Sequence, residues 1–150
     1  MDARSSYREN AVRGASPVRL VVCLYEQAIS DLRCAAIALE RGDIEARTRY
    51  INHALLVIGQ LQGTLDIGRG GKVARNLDKF YHLLRAGLVE AQGKQSKQIL
   101  ERQIAVLAVV HEAWQQVERD TTAPKPATTE SAQTGFATPA PETPGADWNA

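Results

Sequence analysis

The stretch SPVRLVVCLYEQAISDLRCAAIALERGD, residues 16–43, decides the fold class. Ser16 suits a helix N-cap, where a side-chain oxygen accepts from an otherwise unpaired backbone N–H. Pro17 suits the first helical position, where a missing N–H costs nothing. Leu20, Val21, Leu24, Ala28, Leu32, Ala35 and Leu39 then recur every three or four residues, which places them on one helical face. Gly42 ends the run, and Asp43 can cap a second helix.

Three more stripes follow with the same period. The second is Ile44, Ile51, Leu55, Ile58, Leu61 and Leu65, broken by Gly68, Gly70 and Gly71. The third is Val73, Leu77, Phe80, Leu84, Leu88 and Ala91, ending near Gly93. Ser96 caps the fourth, which carries Ile99 or Leu100, Ile104, Leu107, Val110, Trp114 and Val117. Four helices of roughly 20–25 residues joined by short loops favour antiparallel neighbours. No segment sustains strand alternation. The expected fold is therefore all-α: an antiparallel up-and-down four-helix bundle over residues 16–120. Val22, Ile29 and Ile37, Leu56 and Val57, and Val106 and Val109 fall outside the four stripes.

Both ends differ from the bundle. In residues 1–15, Ser6 and Glu9 have capping-box spacing, and Tyr7, Ala11 and Val12 share a face before Gly14. Such a short N-terminal helical arm is marginal alone and needs a surface to dock on. Residues 121–150 hold five of the six prolines, with seven threonines and seven alanines, and their only large apolar side chains are Phe136 and Trp148. That composition cannot offset its ordering entropy by burial, so a disordered tail is expected.

Composition narrows the function. Lys+Arg is 18 against Asp+Glu 17, a formal net charge of +1, which argues against a nucleic-acid binder. The longest apolar run, Ile104 to Val110, is too short for a bilayer, so no membrane insertion is expected. The polar start has no signal-like apolar region, and a cytoplasmic location is the expectation. Cys23 and Cys34, about 16 Å apart along one helix, lie beyond disulfide reach and read as reduced thiols.

No catalytic constellation emerges. Gly68-Arg69-Gly70-Gly71-Lys72 fails the phosphate-loop pattern, with Asp66 at the place of the first glycine and Val73 where Ser or Thr would hold magnesium. It reads instead as an interhelical turn whose glycines supply positive φ. His53, His82 and His111 fall on three helices without a paired metal-ligand motif, so no metal or cofactor is expected. Gly59 and Gly63 share a stripe with Asn52 and Leu56 on the second helix. They serve either close packing on a neighbouring helix or a shallow groove for a partner segment. Wide apolar faces without catalytic groups suit a binder rather than an enzyme.

At this point the ordered motifs resemble one family. Tyr7 and Val12 are followed by Ser16-Pro17-Val18-Arg19-Leu20 and Leu24-Tyr25-Glu26. Ile51-Asn52-His53-Ala54, Leu61 and Leu65-Asp66 come next, then Gly70-Gly71, Asn76-Leu77, Phe80-Tyr81 and Ala113-Trp114. Over about Tyr7 to Trp114 the chain resembles the FliS family of flagellin export chaperones. Two departures are Phe80, where an aliphatic residue is usual, and the long tail.

The resemblance implies a cytoplasmic, non-enzymatic chaperone that holds the C-terminal segment of flagellin, prevents premature polymerisation and delivers it to the flagellar type III export apparatus. It implies that the arm covers part of the same surface when the client is absent. Export gate components and other flagellar regulators are the further partners it implies. Partner-binding candidates are Tyr7, Val12, Tyr25, Asn52, Leu56, Gly59, Gly63, Asp66, Asn76 and Tyr81. Of these, Tyr25 is the stronger contact candidate, because its ring can pack while its hydroxyl reaches a polar edge. The alternatives are a helical-bundle adaptor for another secretion or regulatory protein, and a small bundle enzyme or metal protein.

Overall fold

A computed structural model describes residues 16–122. The chain falls into two units, residues 1–118 and 119–150; of the second, the described part is the last turn of the final helix. The expected arm and tail lie outside the described residues.

Four helices follow in order: α1 Pro17–Glu40, α2 Ile44–Gly63, α3 Ile67–Lys94 and α4 Lys97–Thr122. Among the described residues there is no strand. Each helix begins on a polar cap. Ser16 Oγ accepts from Arg19 N at 3.1 Å, and Asp43 Oδ1 from Ala46 N at 3.0 Å. Ser96 Oγ accepts from Ile99 N at 3.1 Å. Asp66, a partner-binding candidate from the sequence, caps α3 in the same way, its Oδ1 accepting from Arg69 N at 3.1 Å.

The glycine run does not separate α2 from α3. Thr64 ends α2 and α3 begins three residues later, at Ile67. The break falls inside α3, at Gly71, where φ is 55° and ψ is −131°. Gly70, one residue earlier, is required by space: a Cβ there would lie 2.6 Å from the Ala74 Cβ. α3 ends at Lys94, close to the expected Gly93. Gly93 stays outside the cap, and Gln95 takes the left-handed position at φ 52°, while Ser96 N returns to Ala91 O at 3.1 Å.

Cross-helix bonds fix the up-and-down order. The start of α1 meets the end of α4 through Arg19 and Glu118 at 3.3 Å, and the opposite ends meet through Glu40 and Lys97. α2 and α3 run antiparallel, joined by Arg47 Nε donating to Gln92 Oε1 at 3.1 Å near one end and Gln62 Nε2 donating to Asp78 Oδ1 at 3.3 Å near the other.

The core is aliphatic with two tyrosines. Leu32, Ile51, Ile58, Leu61, Leu84, Leu88, Leu100 and Leu107 are fully buried. The stripes were too narrow on α1 and α2. Val22, Ile29 and Val57 lie outside them yet are buried. The reason is that α1 has neighbours on both sides, α2 and α4, and small residues at Ala28, Ala35 and Ala54 bring the backbones close. Conversely, Ile44, Val73 and Val117 keep the stripe's phase but are exposed: Ile44 opens α2, Val73 follows the kink at Gly71, and Val117 lies in the last turns of α4.

Candidate functional site

One apolar opening lies at the end of the bundle where α1 begins and α2 gives way to α3. It is a pocket of about 500 Å³. Pro17, Leu20 and Val21 form one wall, and Thr64, Leu65 and Asp66 a second. Gly70, Val73, Leu77 and Tyr81 of α3 line the rest, closed off by Trp114 of α4. The kink at Gly71 sets the first turn of α3 at an angle to the remainder, and residues from both sides of it line the opening. Val73, in phase with the core stripe of α3, is 68% exposed and presents apolar surface at the pocket wall.

Beneath the pocket two tyrosines meet. The Tyr25 and Tyr81 hydroxyl oxygens are 2.8 Å apart, and the rings are tilted by 56° with centroids 6.2 Å apart. Burial pushes both phenols above the usual tyrosine range, Tyr25 well above it; the mutual hydrogen bond adds to the rise at Tyr25, where the Trp114 indole opposes it, and works against the rise at Tyr81.

A second groove, of about 520 Å³, runs between α1 and α2. Its apolar floor is Leu20, Leu24, Leu56 and Val57, and its rim is polar, with Glu26, Gln27, His53 and Gln60. Asp31, almost fully buried behind it, accepts from Gln27 Nε2 at 3.1 Å and lies 2.5 Å from His53 Nδ1. Leu20 lines both openings.

The structure separates the sequence candidates. Asp66 and Tyr81 line the end pocket, and Leu56 lines the α1–α2 groove. Tyr25 is fully buried in the bundle interior, and its hydroxyl is bonded to Tyr81 rather than presented at a polar edge. Asn52 and Asn76 are exposed on α2 and α3 respectively. Asn52, Leu56, Gly59 and Gly63 fall within about 60° around the α2 axis at 100° per residue. Gly59 faces α3: a Cβ there would lie 3.5 Å from Arg85 Nη1, which itself donates to Leu55 O at 3.1 Å. Gly63 has nothing within 4 Å of that position. Gly59 thus lies against a side chain of α3 at ordinary contact distance, and Gly63 lies in open space. Tyr7 and Val12 lie outside the described residues.

Sequence reasoning placed Leu65, Val73, Leu77 and Trp114 in the core; Leu65, Leu77 and Trp114 do pack against it while Val73 is exposed, and all four also line the pocket. The available signal was positional. Leu65 ends the second stripe, Val73 and Leu77 open the third, and Trp114 is next to last in the fourth, so all four lie towards one end of the bundle.

Each histidine meets one carboxylate: His53 meets Asp31, His82 meets Asp78 at 3.5 Å, and His111 meets Glu26 at 3.2 Å. No cluster of three or more metal-ligating side chains occurs among the described residues, and no helix among them is long and apolar enough to cross a membrane. Cys23 and Cys34 are free thiols on α1.

A family model described as "Flagellar protein FliS" matches residues 1–121. The Salmonella typhimurium flagellar secretion chaperone FliS is 34% identical over 110 residues, covering 73% of this chain and 82% of that protein. The Pseudomonas aeruginosa flagellar secretion chaperone FliSB is 36% identical over 106 residues, covering 71% and 84%. The Bacillus subtilis flagellar secretion chaperone FliS is 27% identical over 112 residues, covering 75% and 83%.

Proposed function

We propose, from the premise that this chain belongs to the FliS family of flagellar secretion chaperones, that it binds the C-terminal segment of flagellin in the cytoplasm and masks it until export. The observation that carries the reading is the open apolar pocket at the end of the bundle, with Val73 exposed on its wall. A polymerising protein's terminal segment is apolar on one face, and that face is a hazard before assembly. An apolar pocket on a rigid bundle takes such a face without any chemistry.

The energetics suit a carrier. Covering a valine side chain contributes on the order of 1–2 kcal/mol, so a few such contacts suffice for binding. Ordering a disordered client sets about 2–5 kcal/mol or more of the gross interaction against this. The net affinity is moderate, which leaves the client removable at the export gate. Export gate components and flagellar regulators are the further partners of this reading, and its action is binding rather than catalysis.

Replacing Val73 by aspartate tests it. The residue is exposed in the free protein, so the fold tolerates the charge, but a seated client would desolvate it. Client binding falls at least tenfold with an unchanged melting temperature. Unchanged binding removes the pocket from the client site.

A second reading, an adaptor for another secretion or regulatory protein, is favoured by the groove between α1 and α2. Its polar rim around Leu56 is unlike the end pocket. Competition between the flagellin segment and a candidate partner separates the two, because a partner that binds alongside flagellin uses a different surface.

A further inference from the structure

Two lines of apolar side chains lead away from the end pocket along the seam between α3 and α4. From Leu77 the first continues to Phe80 and Leu83, and from Trp114 the second continues to Val110 and Val106. At 100° per residue, Phe80, Leu83 and Gly87 fall within about 60° around α3, and Gln103, Val106 and Val110 within about 60° around α4. The two strips face one seam, since a Cβ at Gly87 would lie 2.5 Å from the Gln103 side chain. α2 lies on the other flank of α3, where Asp78 and Arg85 make their bonds. Phe80 and Val110 are partly buried against the core, but Leu83 is 65% exposed and Val106 39% exposed. From Leu77 to Gly87 the strip rises about 15 Å, or about three helical turns. Beside it, on the solvent side of α3, Lys72, Arg75 and Lys79 form one exposed row, again within about 60°. Their neighbours Arg69 and His82 each meet a carboxylate, whereas these three form no ion pair among the described residues. Glu90, farther along the same side, is taken by Lys94 at 2.8 Å. The seam is therefore apolar along its floor and positive along one bank.

We infer that this seam holds a further part of the client: an amphipathic helix of about three turns that leaves the end pocket, lays its apolar stripe on Phe80, Leu83, Val106 and Val110, and carries carboxylates on the flank facing Lys72, Arg75 and Lys79. The inference rests on the reading of the end pocket as the seat of the flagellin C-terminal segment, and extends that site along α3. The helical form follows from hydrogen bonding. No strand among the described residues offers an edge to pair with, so a segment that covers apolar side chains must satisfy its own N–H and C=O groups. The acidic flank follows from the unpaired row, which rewards an opposite charge and repels a like one. A second copy of this chain fits less well. A two-fold contact through the seam sets the patch against itself and brings two unneutralised basic rows into one interface.

The test is calorimetric titration of the full chain with the flagellin C-terminal segment, at low and at physiological salt, alongside four variants. Val73→Asp probes the pocket and Leu83→Asp the floor of the seam. Arg75→Gln/Lys79→Gln removes two charges of its bank, and Arg33→Gln/Arg41→Gln removes two charges toward the far end of α1. All six side chains are exposed, so an unchanged melting temperature is expected of each variant. The expected result is a Kd about five- to tenfold weaker for Leu83→Asp and for Arg75→Gln/Lys79→Gln at low salt, the latter also losing most of the salt dependence of the unchanged chain. Arg33→Gln/Arg41→Gln should stay within about twofold. Unchanged binding by Leu83→Asp overturns the inference; weaker binding by Val73→Asp in the same series leaves the pocket reading standing. Weaker binding by Leu83→Asp with unchanged binding by Arg75→Gln/Lys79→Gln removes the acidic flank and overturns the inference as well. Equal weakening by the two charge pairs reduces the effect to net charge, with the same consequence. A dimer of the unchanged chain in light scattering that Leu83→Asp splits assigns the seam to a second copy and overturns it. Absence of binding by the unchanged chain overturns the pocket reading and this inference with it.

Discussion

Replacing Gly71 by alanine should destabilise the bundle by about 1–3 kcal/mol. The residue sits at φ 55° and ψ −131°, inside what is otherwise one helix. Positive φ alone is not the difficulty, since a non-glycine residue enters the left-handed region at ψ of about +30° to +60°. At ψ −131° it has no such refuge. The cost is backbone strain rather than contact, because a Cβ at Gly71 meets nothing within 4 Å. The chain could relieve the strain by straightening α3, but that would swing Asp66 and Arg69, with Gly70, away from the pocket wall they form with Val73. Urea unfolding reads the loss. With a slope of about 1–2 kcal/mol/M the midpoint falls by roughly 1 M. Gly63→Ala is the control, since Gly63 ends α2 with open space around it and φ is not positive there. That change should raise stability by about 0.4–1 kcal/mol. Equal effects of the two substitutions, or no loss at Gly71, would refute the account of the kink.

Other consequences can be checked alongside. Asp66→Ala removes the cap of α3 and should cost about 1 kcal/mol, whereas Asp66→Asn should retain most of it; thermal melts distinguish them. Stability should fall as pH rises above about 10. The unfolded chain then releases the Tyr25 and Tyr81 protons that the folded chain retains, so each contributes up to about 1.4 kcal/mol per pH unit of lost stability. Below that pH the contribution is fully present, and Tyr25→Phe should flatten the alkaline slope. Removing residues 1–14 should tighten or speed client binding if the arm competes for the pocket; weaker binding would make the arm part of the site.

The sequence made most of the fold legible because helix caps and apolar period are local signals. Ser16, Asp43 and Ser96 are caps by residue type and position, and they cap in the structure. What it could not show was where the stripes lose their neighbours. Val73 and Leu84 share a phase, yet Val73 is 68% exposed and Leu84 is 1% exposed, because only the second belongs to the buried core cluster. The widening of the buried face on α1 was hidden for a related reason: Val22 is buried by the geometry of two flanking helices, which one helix's periodicity does not encode. The candidate site was less legible than the fold. Motif resemblance pooled residues of different kinds: Tyr25 in the interior, Asp66 as a cap, Tyr81 at the pocket floor, and Asn52 and Asn76 on outer faces. Only the packed arrangement sorts them.

The most direct test of the central claim is calorimetric titration of this protein with the last ~40 residues of the flagellin from the same organism, a length in keeping with a coupled-folding segment. The account predicts saturable 1:1 binding with a large negative heat-capacity change, weakened by Val73→Asp. No binding by protein shown to be folded by circular dichroism would contradict it.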